Sequence, residues 1–433
     1  MRTRSWLLAS EDWWSVYLGL FLVAVVVVGF LVGLPLDFAK SAVPAVWPQN
    51  PLLEGLAGSW GSYLAIYLLL ATVTGIATKV MGGRLRDYLP AFTVLFIGSF
   101  LVLVLGSLKT LKLYGLEYPF WALIAGLLIG NSLRLPAWFQ AAAKRTELYI
   151  KIGIVLLGAS LPFTIIIRGG VWGLLEALII VAVGFTVAFA ISKAFGFDNR
   201  FAAVLGAGSS VCGVSAAIAI GSSVRADEKQ VGYVVSLVVL YALILIFVIP
   251  LLGRLLGLAE VVIGAWIGGS ELADAAGLAA AAMVGERAVS AFSLVKLNRD
   301  VMIGLRAFIF AAVSVARWER GRGEKRPGAG IIWERFPKFV LAFLLSSLLV
   351  TYLVARFGKA EVDAHVVGVL NAARTWLFTL TFLCIGLNTR LGEIRALGPK
   401  PIIAFTAVVI VNLVLGLILA SLFFGGIVAR PLG

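Results

Sequence analysis

Two stretches of this chain place backbone groups, hydroxyls and charges where they could handle a small ion. Residues 204–216 read VLGAGSSVCGVSA, and residues 263–277 read IGAWIGGSELADAAG. Each lies in the middle of a long apolar run. Glycine costs a helix roughly 1 kcal/mol against alanine. A cluster of it in mid-membrane frees backbone N–H and C=O groups that lipid cannot satisfy. Such backbone is tolerated only beside protein or a watery cavity. Both stretches are therefore expected to be interrupted helices whose inner ends point at one another or at a ligand. The competing reading is close helix packing through small residues.

An oxyanion held without water needs hydrogen-bond donors and positive potential. Half-helix N-termini supply both. Ser209, Ser210, Ser215 and Ser270 add hydroxyls, and Gly208, Gly213 and Gly269 would let backbone approach a ligand closely. Cys212 is either a soft contact or a small apolar filler. Glu271 and Asp274 are three residues apart and share a helix face. Acids in a membrane segment are costly and default to functional hypotheses, here a coupling proton or Na⁺. The plainer reading is a solvated or salt-bridged helix end. Lys296 and Arg299 also share a face and stand at the start of an apolar span read over 296–317. There they would either reach out to the interface, or draw anions to a cavity mouth or pair with a core acid, as Glu271 or Asp274 could with Lys296. Asn131, Asn371, Asn388 and Glu176 are expected to tie helices together.

Composition says what must position these residues. Hydrophobic residues make up 61% of the 433 and charged residues 13%. A soluble domain has about 45–50% apolar and about 25% charged residues. Too little polar surface remains to cover a water-soluble globule. Apolar runs fall at 16–34, 60–79, 90–108, 119–133, 148–168, 172–194, 200–224, 229–252, 258–284, 296–317, 333–356, 365–386 and 399–424. The fold class expected is an all-α polytopic membrane protein with about 13 transmembrane helices, in a range of 11–13. The first run is longer than a signal-peptide core and is expected to stay as a helix.

The net charge of +14 fits a topological cause, because basic residues collect in cytoplasmic loops. The densest Lys/Arg clusters are 79–86, 134–145, 317–338 and 390–400. With an odd number of crossings they share one side, which predicts a cytoplasmic N-terminus in an inner membrane. No solvated basic module suggests nucleic acid. Cys212 and Cys384 form no paired motif, and His365 is the sole histidine, so neither a zinc site nor a hydrolase triad is expected. No phosphate-binding loop of the ATPase type is present. Neither enzymatic activity nor a cofactor is expected.

Residues 152–161 (IGIVLLGASL) and 378–388 (FTLTFLCIGLN) echo one another. Each is followed by a glycine-bearing turn, near Gly169 and Gly398, and then by another long apolar span. The expected topology runs the two helices in opposite directions, as an inverted repeat would.

Residues 205–217 (LGAGSSVCGVSAA), 266–270 (WIGGS) and 285–299 (from GERA to VKLNR) resemble the signatures of the YeiH-type family of bacterial integral membrane proteins. That family is labelled as sulfate exporters. The resemblance covers roughly residues 85–424, and the tail from Ile385 to Pro401 fits it. In one place the chain departs from the pattern. Where family members often carry His followed by an acid, Leu272 and Ala273 stand here, flanked by Glu271 and Asp274.

The resemblance implies a fold like the cation:proton antiporters and bile-acid symporters, with inverted repeats, a scaffold, and a core with two broken crossing helices. The organisation expected is an N-terminal helix and extracytoplasmic segment over 1–59, then a transporter unit over 60–433 with interleaved scaffold and core bundles. The function it implies is secondary-active transport of a small anion, sulfate or sulfonate-like. A proton- or sodium-coupled organic-acid carrier and an anion channel are the alternatives. Partners expected are that anion, a coupling proton or Na⁺, the lipid bilayer and, by analogy of fold, a second copy of the chain.

Overall fold

A computed structural model of the chain describes residues 10–47, 56, 58–113, 118–160, 163–313, 338–389 and 399–426. Among these residues the structure is helical and contains no strand; an isolated bridge joins Trp47 and Leu108. In chain order the helices are α1 (Glu11–Val32), α2 (Trp60–Val80), α3 (Leu85–Gly106), α4 (Tyr118–Ser132), α5 (Thr146–Gly158), α6 (Phe163–Ile179), α7 (Phe185–Ala194), α8 (Asn199–Ser210), α9 (Val214–Val224), α10 (Glu228–Leu255), α11 (Glu260–Ser270), α12 (Asp274–Val284), α13 (Glu286–Val313), α14 (Phe339–Phe357), α15 (Gly368–Asn388) and α16 (Pro399–Phe424).

Eight helical stretches among the described residues are long and apolar enough to cross a membrane. Their outward faces are apolar too: Leu101, Leu128, Tyr352 and Ile418 are each more than half exposed. Water does not stabilise so extensive an apolar exterior, and a bilayer does.

The chain divides into two compact units, each built from two separate stretches. The first comprises Met1–Thr164 and Lys338–Arg390. Its centre is α15. Trp376 of that helix is fully buried, stacks on Phe96 at 4.0 Å and 3°, and donates from Nε1 to the Ala42 carbonyl at 2.8 Å. Gly126 and Gly130 of α4 lie directly against the α15 backbone at Leu383 and Leu387, where any side chain would collide. Small residues let two helices approach this closely. Three of the asparagines expected to tie helices do so here. Asn131 donates to the Thr389 carbonyl at 2.9 Å, Asn388 to the Ala143 carbonyl at 2.7 Å, and Asn371 accepts from Ser160 at 2.7 Å.

The second unit comprises Ile165–Pro337 and Leu391–Gly433. Two sequence boundaries need correction here. The turn expected near Gly169 is absent, since Gly169 and Gly170 lie within α6. That helix starts at Phe163 and continues through a π-helical stretch, Ile180–Gly184, into α7. Glycine is common in membrane helices, so the pair need not break one. The helix read from residue 296 starts ten residues earlier, at Glu286. Its first three turns mix polar and apolar residues, which hid them from a hydropathy reading. The glycine-bearing turn expected near Gly398 lies outside the described residues.

Both glycine-rich stretches are interrupted. Residues 211–213 separate α8 from α9, with Gly213 at φ +67°. Residues 271–273 separate α11 from α12, with Glu271 extended at φ −66°, ψ 137°. At its outer end α8 is capped by Asp198, whose side chain accepts from the N–H groups of Arg200 and Phe201 at 2.8 and 2.9 Å.

Candidate functional site

The two interruptions meet. A Cβ placed on Gly213 would come within 2.5 Å of the Leu272 carbonyl oxygen. Only glycine fits a position that combines this approach with a positive φ. Four half-helix ends therefore converge inside the second unit. The C-terminal ends of α8 and α11 bring carbonyls that have lost their intrahelical partners. The N-terminal ends of α9 and α12 bring N–H groups and partial positive charge.

Two basic side chains from the middle of α13 occupy this meeting point. Lys296 is 2% exposed and Arg299 is fully buried. This corrects the expectation that they stand at a span's start and reach outward; α13 begins too early for that. Arg299 donates from Nη1 to the Gly268 and Glu271 carbonyls at 2.6 and 3.1 Å, and from Nε to the Ser210 carbonyl at 3.3 Å. Lys296 donates to the carbonyls of Val211, Glu271 and Leu272 at 3.4, 3.2 and 3.4 Å. Each cation thus spans both interruptions. Positive charge at a helix C-terminus offsets the dipole there, and here two cations serve two such ends.

The acids of the second interruption are engaged as well. Asp274 pairs with Lys296 at 3.3 Å. Glu271 accepts through Oε1 from the N–H groups of Leu272 and Ala273 at 2.9 and 3.4 Å. Those bonds fold the Glu271 carboxylate back onto the interruption itself, ahead of α12.

The small residues act differently from the sequence expectation. The Ser209 and Ser210 hydroxyls both donate back to the Gly206 carbonyl, at 3.2 and 2.6 Å, so they are not free donors for a ligand. Serine deep in a helix commonly bonds the preceding turn. Gly208 faces Val234 and Val238 of α10, and Gly269 faces Ile180 and Glu176; both are packing contacts. Ser270 donates to the Asn412 carbonyl at 3.0 Å. Cys212 is buried as a free thiol at the first interruption. Ser215 belongs to α9, but its side chain lies outside the described residues.

Sequence reasoning missed Asn412 on α16. Its amide donates to the Ser209 carbonyl at 2.7 Å, and Trp266 donates to the neighbouring Leu413 carbonyl at 2.9 Å. A lone asparagine within the apolar span 399–424 was the available signal. Among the described residues, no group of three or more His, Cys, Asp and Glu is arranged to hold a metal.

A helical chain with this many apolar crossing-length helices, two of its other segments interrupted around buried cations, is a multi-pass membrane protein. It belongs to the family described as Conserved hypothetical protein 698, whose model matches residues 90–405, and the UPF0324 membrane proteins are its relatives. This is the family of the YeiH-type proteins labelled sulfate exporters. The UPF0324 membrane protein of Rhodopirellula baltica is 32% identical over 88% of this chain and 71% of its own length. One from Nitratidesulfovibrio vulgaris is 33% identical, over 83% of this chain and 63% of its own length, so the chain spans under two thirds of that relative. One from Nitrosomonas europaea is 30% identical over 90% of each. No solved structure matches the chain. The matched region contains both interruptions and all of α13.

Proposed function

We propose that the protein is a secondary-active transporter of small anions, sulfate or sulfonate-like, working by alternating access at the meeting point of the two interrupted helices. In this reading it lies in an inner membrane with its N-terminus cytoplasmic. The observation that supports it best is the pair of buried cations, Lys296 and Arg299, placed where four half-helix ends converge.

The bond lengths suggest how such a site would work. Charge-assisted N–H···O bonds run at about 2.7–2.9 Å. Every partner of Lys296 is at 3.2 Å or more, Asp274 included at 3.3 Å. Lys296 is held by several weak contacts, whereas Arg299 makes a short bond of 2.6 Å. An incoming oxyanion could draw Lys296 from Asp274 at small cost, while Arg299 keeps the interruptions joined. The N-termini of α9 and α12 would supply the remaining positive potential.

A second reading keeps the site and changes the cargo to an organic acid carried with a proton or Na⁺. The observation favouring it is the pair Glu271 and Asp274 at the second interruption, since a carboxylate beside an anion site needs a coupled cation to relieve repulsion.

Radiolabelled sulfate flux into proteoliposomes, with and without an imposed proton gradient, tests both. The expected result is saturable flux with counterflow, reduced at least tenfold in Lys296→Met and strongly in Asp274→Asn. Flux no higher than in empty liposomes, from folded protein, removes sulfate as cargo. Carboxylates tested the same way then decide the second reading. Flux that never saturates indicates a channel.

A further inference from the structure

Glu176 was expected to tie helices together, and it does not. It sits on α6 and is fully buried, yet neither carboxylate oxygen has a hydrogen-bond partner. Its Oε1 lies 2.7 Å from where a Cβ on Gly269 would stand. Gly269 is in the last turn of α11, two residues before the interruption. A side chain at that position would displace the carboxylate, so the glycine makes room for it.

An ionised carboxylate in a dry setting with no hydrogen bond carries a desolvation penalty far above what a folded protein sustains. The large majority of buried polar side-chain atoms are paired. A proton on Glu176 removes most of that penalty.

The surroundings supply a second state. Arg299 of α13 bonds the carbonyl of Gly268, the residue adjoining Gly269, so its guanidinium and Glu176 both meet the last turn of α11. Its Nη2 is likewise buried without a hydrogen-bond partner. Other charged groups near the interruptions have interactions of their own. Lys296 of α13 pairs with Asp274, Asp300 has a partner too, and Glu271, in the second interruption, accepts from the N–H groups of Leu272 and Ala273. From α16, Asn412 is the polar side chain at this level, and residues 401–424 contain no titratable group. On α6 itself, Arg168 lies eight residues before Glu176 in sequence.

We propose that Glu176 is a proton-carrying site of this protein: it holds a proton while neither carboxylate oxygen has a partner and, on releasing that proton to water, takes the free Nη2 of Arg299 as its partner. Proton loss leaves a carboxylate that only a cation can stabilise in this environment. The Nη2 donors of Arg299 are free to meet it, while Nη1 and Nε stay on the carbonyls of Gly268, Glu271 and Ser210. Deprotonation thereby pulls on the guanidinium that joins the interrupted helices, and reprotonation releases it. The site is distinct from Asp274, which already has a cationic partner. Its role in coupling rests on the transporter reading above, while its protonation does not.

The test is infrared difference spectroscopy of the full chain in lipid vesicles, stepping pH on both sides of neutrality. A carbonyl band from a carboxylic acid without hydrogen bonds is expected near neutral pH, absent in Glu176→Gln and retained in Glu271→Gln. Gly269→Ala, which presses on Oε1, should shift the same band and serves if Glu176→Gln fails to fold. An unchanged band in Glu176→Gln overturns the proposal. In proteoliposomes, the ratio of sulfate flux with a proton gradient to flux without one should fall to about one in Glu176→Gln. A ratio equal to that of the unmodified protein overturns the coupling role. Should the unmodified protein move no sulfate while the band titrates and vanishes in Glu176→Gln, the proton site stands and the cargo assignment falls.

Discussion

At the scale of the residue, Arg299 binds three carbonyls from two helix ends with a planar fork of donors. A lysine is a point charge on a flexible stem and cannot match that geometry. Arg299→Lys should therefore destabilise the protein by about 1–3 kcal/mol, the cost of leaving one or two buried carbonyls unpaired. Thermal unfolding in detergent measures it, and an unchanged midpoint would mean the carbonyls are satisfied in another way.

Asp37 offers a pH-dependent contact away from the crossings. It sits in a 3₁₀ turn, Leu36–Ala42, pairs with Lys40 at 2.7 Å and accepts from His365 Nδ1 at 2.6 Å. The Lys40 ammonium lowers the pKa of its carboxyl from the usual value; partial burial opposes this, and the His365 bond adds to the lowering. A depressed folded-state pKa contributes stability that is present above the unfolded value and lost as pH falls through the folded one. The tie between residues 36–42 and the π-helical stretch Asp363–Val367, just before α15, should hold at neutral pH and weaken below about pH 4. Hydrogen-exchange protection of residues 36–42 should fall on that acidification, and Asp37→Asn should remove the pH dependence.

At the scale of the element, the two interruptions are held by backbone that only glycine can supply at one point. Gly213→Ala meets both a positive φ and the Leu272 carbonyl. Strain of this kind costs roughly 1–3 kcal/mol. Gly208→Ala meets only the methyl groups of Val234 and Val238, which can shift. Denaturation of the two variants should rank them in that order, and the reverse order would show that the joint tolerates movement better than the packing does.

The interruptions were legible because glycine, serine and acids have no ordinary reason to share the middle of an apolar span. The start of α13 was not legible, because the stretch from Glu286 to Val295 mixes charge with apolar residues and drops out of any hydropathy window. That error displaced Lys296 and Arg299 from the interior to an edge. The solitude of Glu176 was beyond sequence altogether: an acid in an apolar span reads the same whether or not its partner exists. The serines were legible as polar and illegible in direction, since a hydroxyl can bond its own helix as easily as a ligand.

At the scale of the whole molecule, the chain enters the first unit, builds most of the second, returns to the first over Lys338–Arg390, and completes the second with α16. That last helix supplies partners to Trp266, Ser270 and Ser209. A chain ending before Pro399 should lose those contacts and accumulate poorly, and co-expressing residues 391–433 as a separate peptide should restore it. Membrane-fraction immunoblots read both outcomes; normal accumulation of the truncated chain would show that α16 is dispensable to the second unit.

The same order of assembly has a consequence in time. A ribosome adds about 5–20 residues per second. Everything from residue 314 to 398 must be made before α16 begins, so the interrupted helices and their two cations wait several seconds in the bilayer with Ser270 and the Ser209 carbonyl unmet. During that wait the nascent second unit depends on whatever the insertion machinery or neighbouring lipid headgroups offer in place of Asn412. Codon choice downstream of residue 313 therefore becomes a lever on how much of this protein matures.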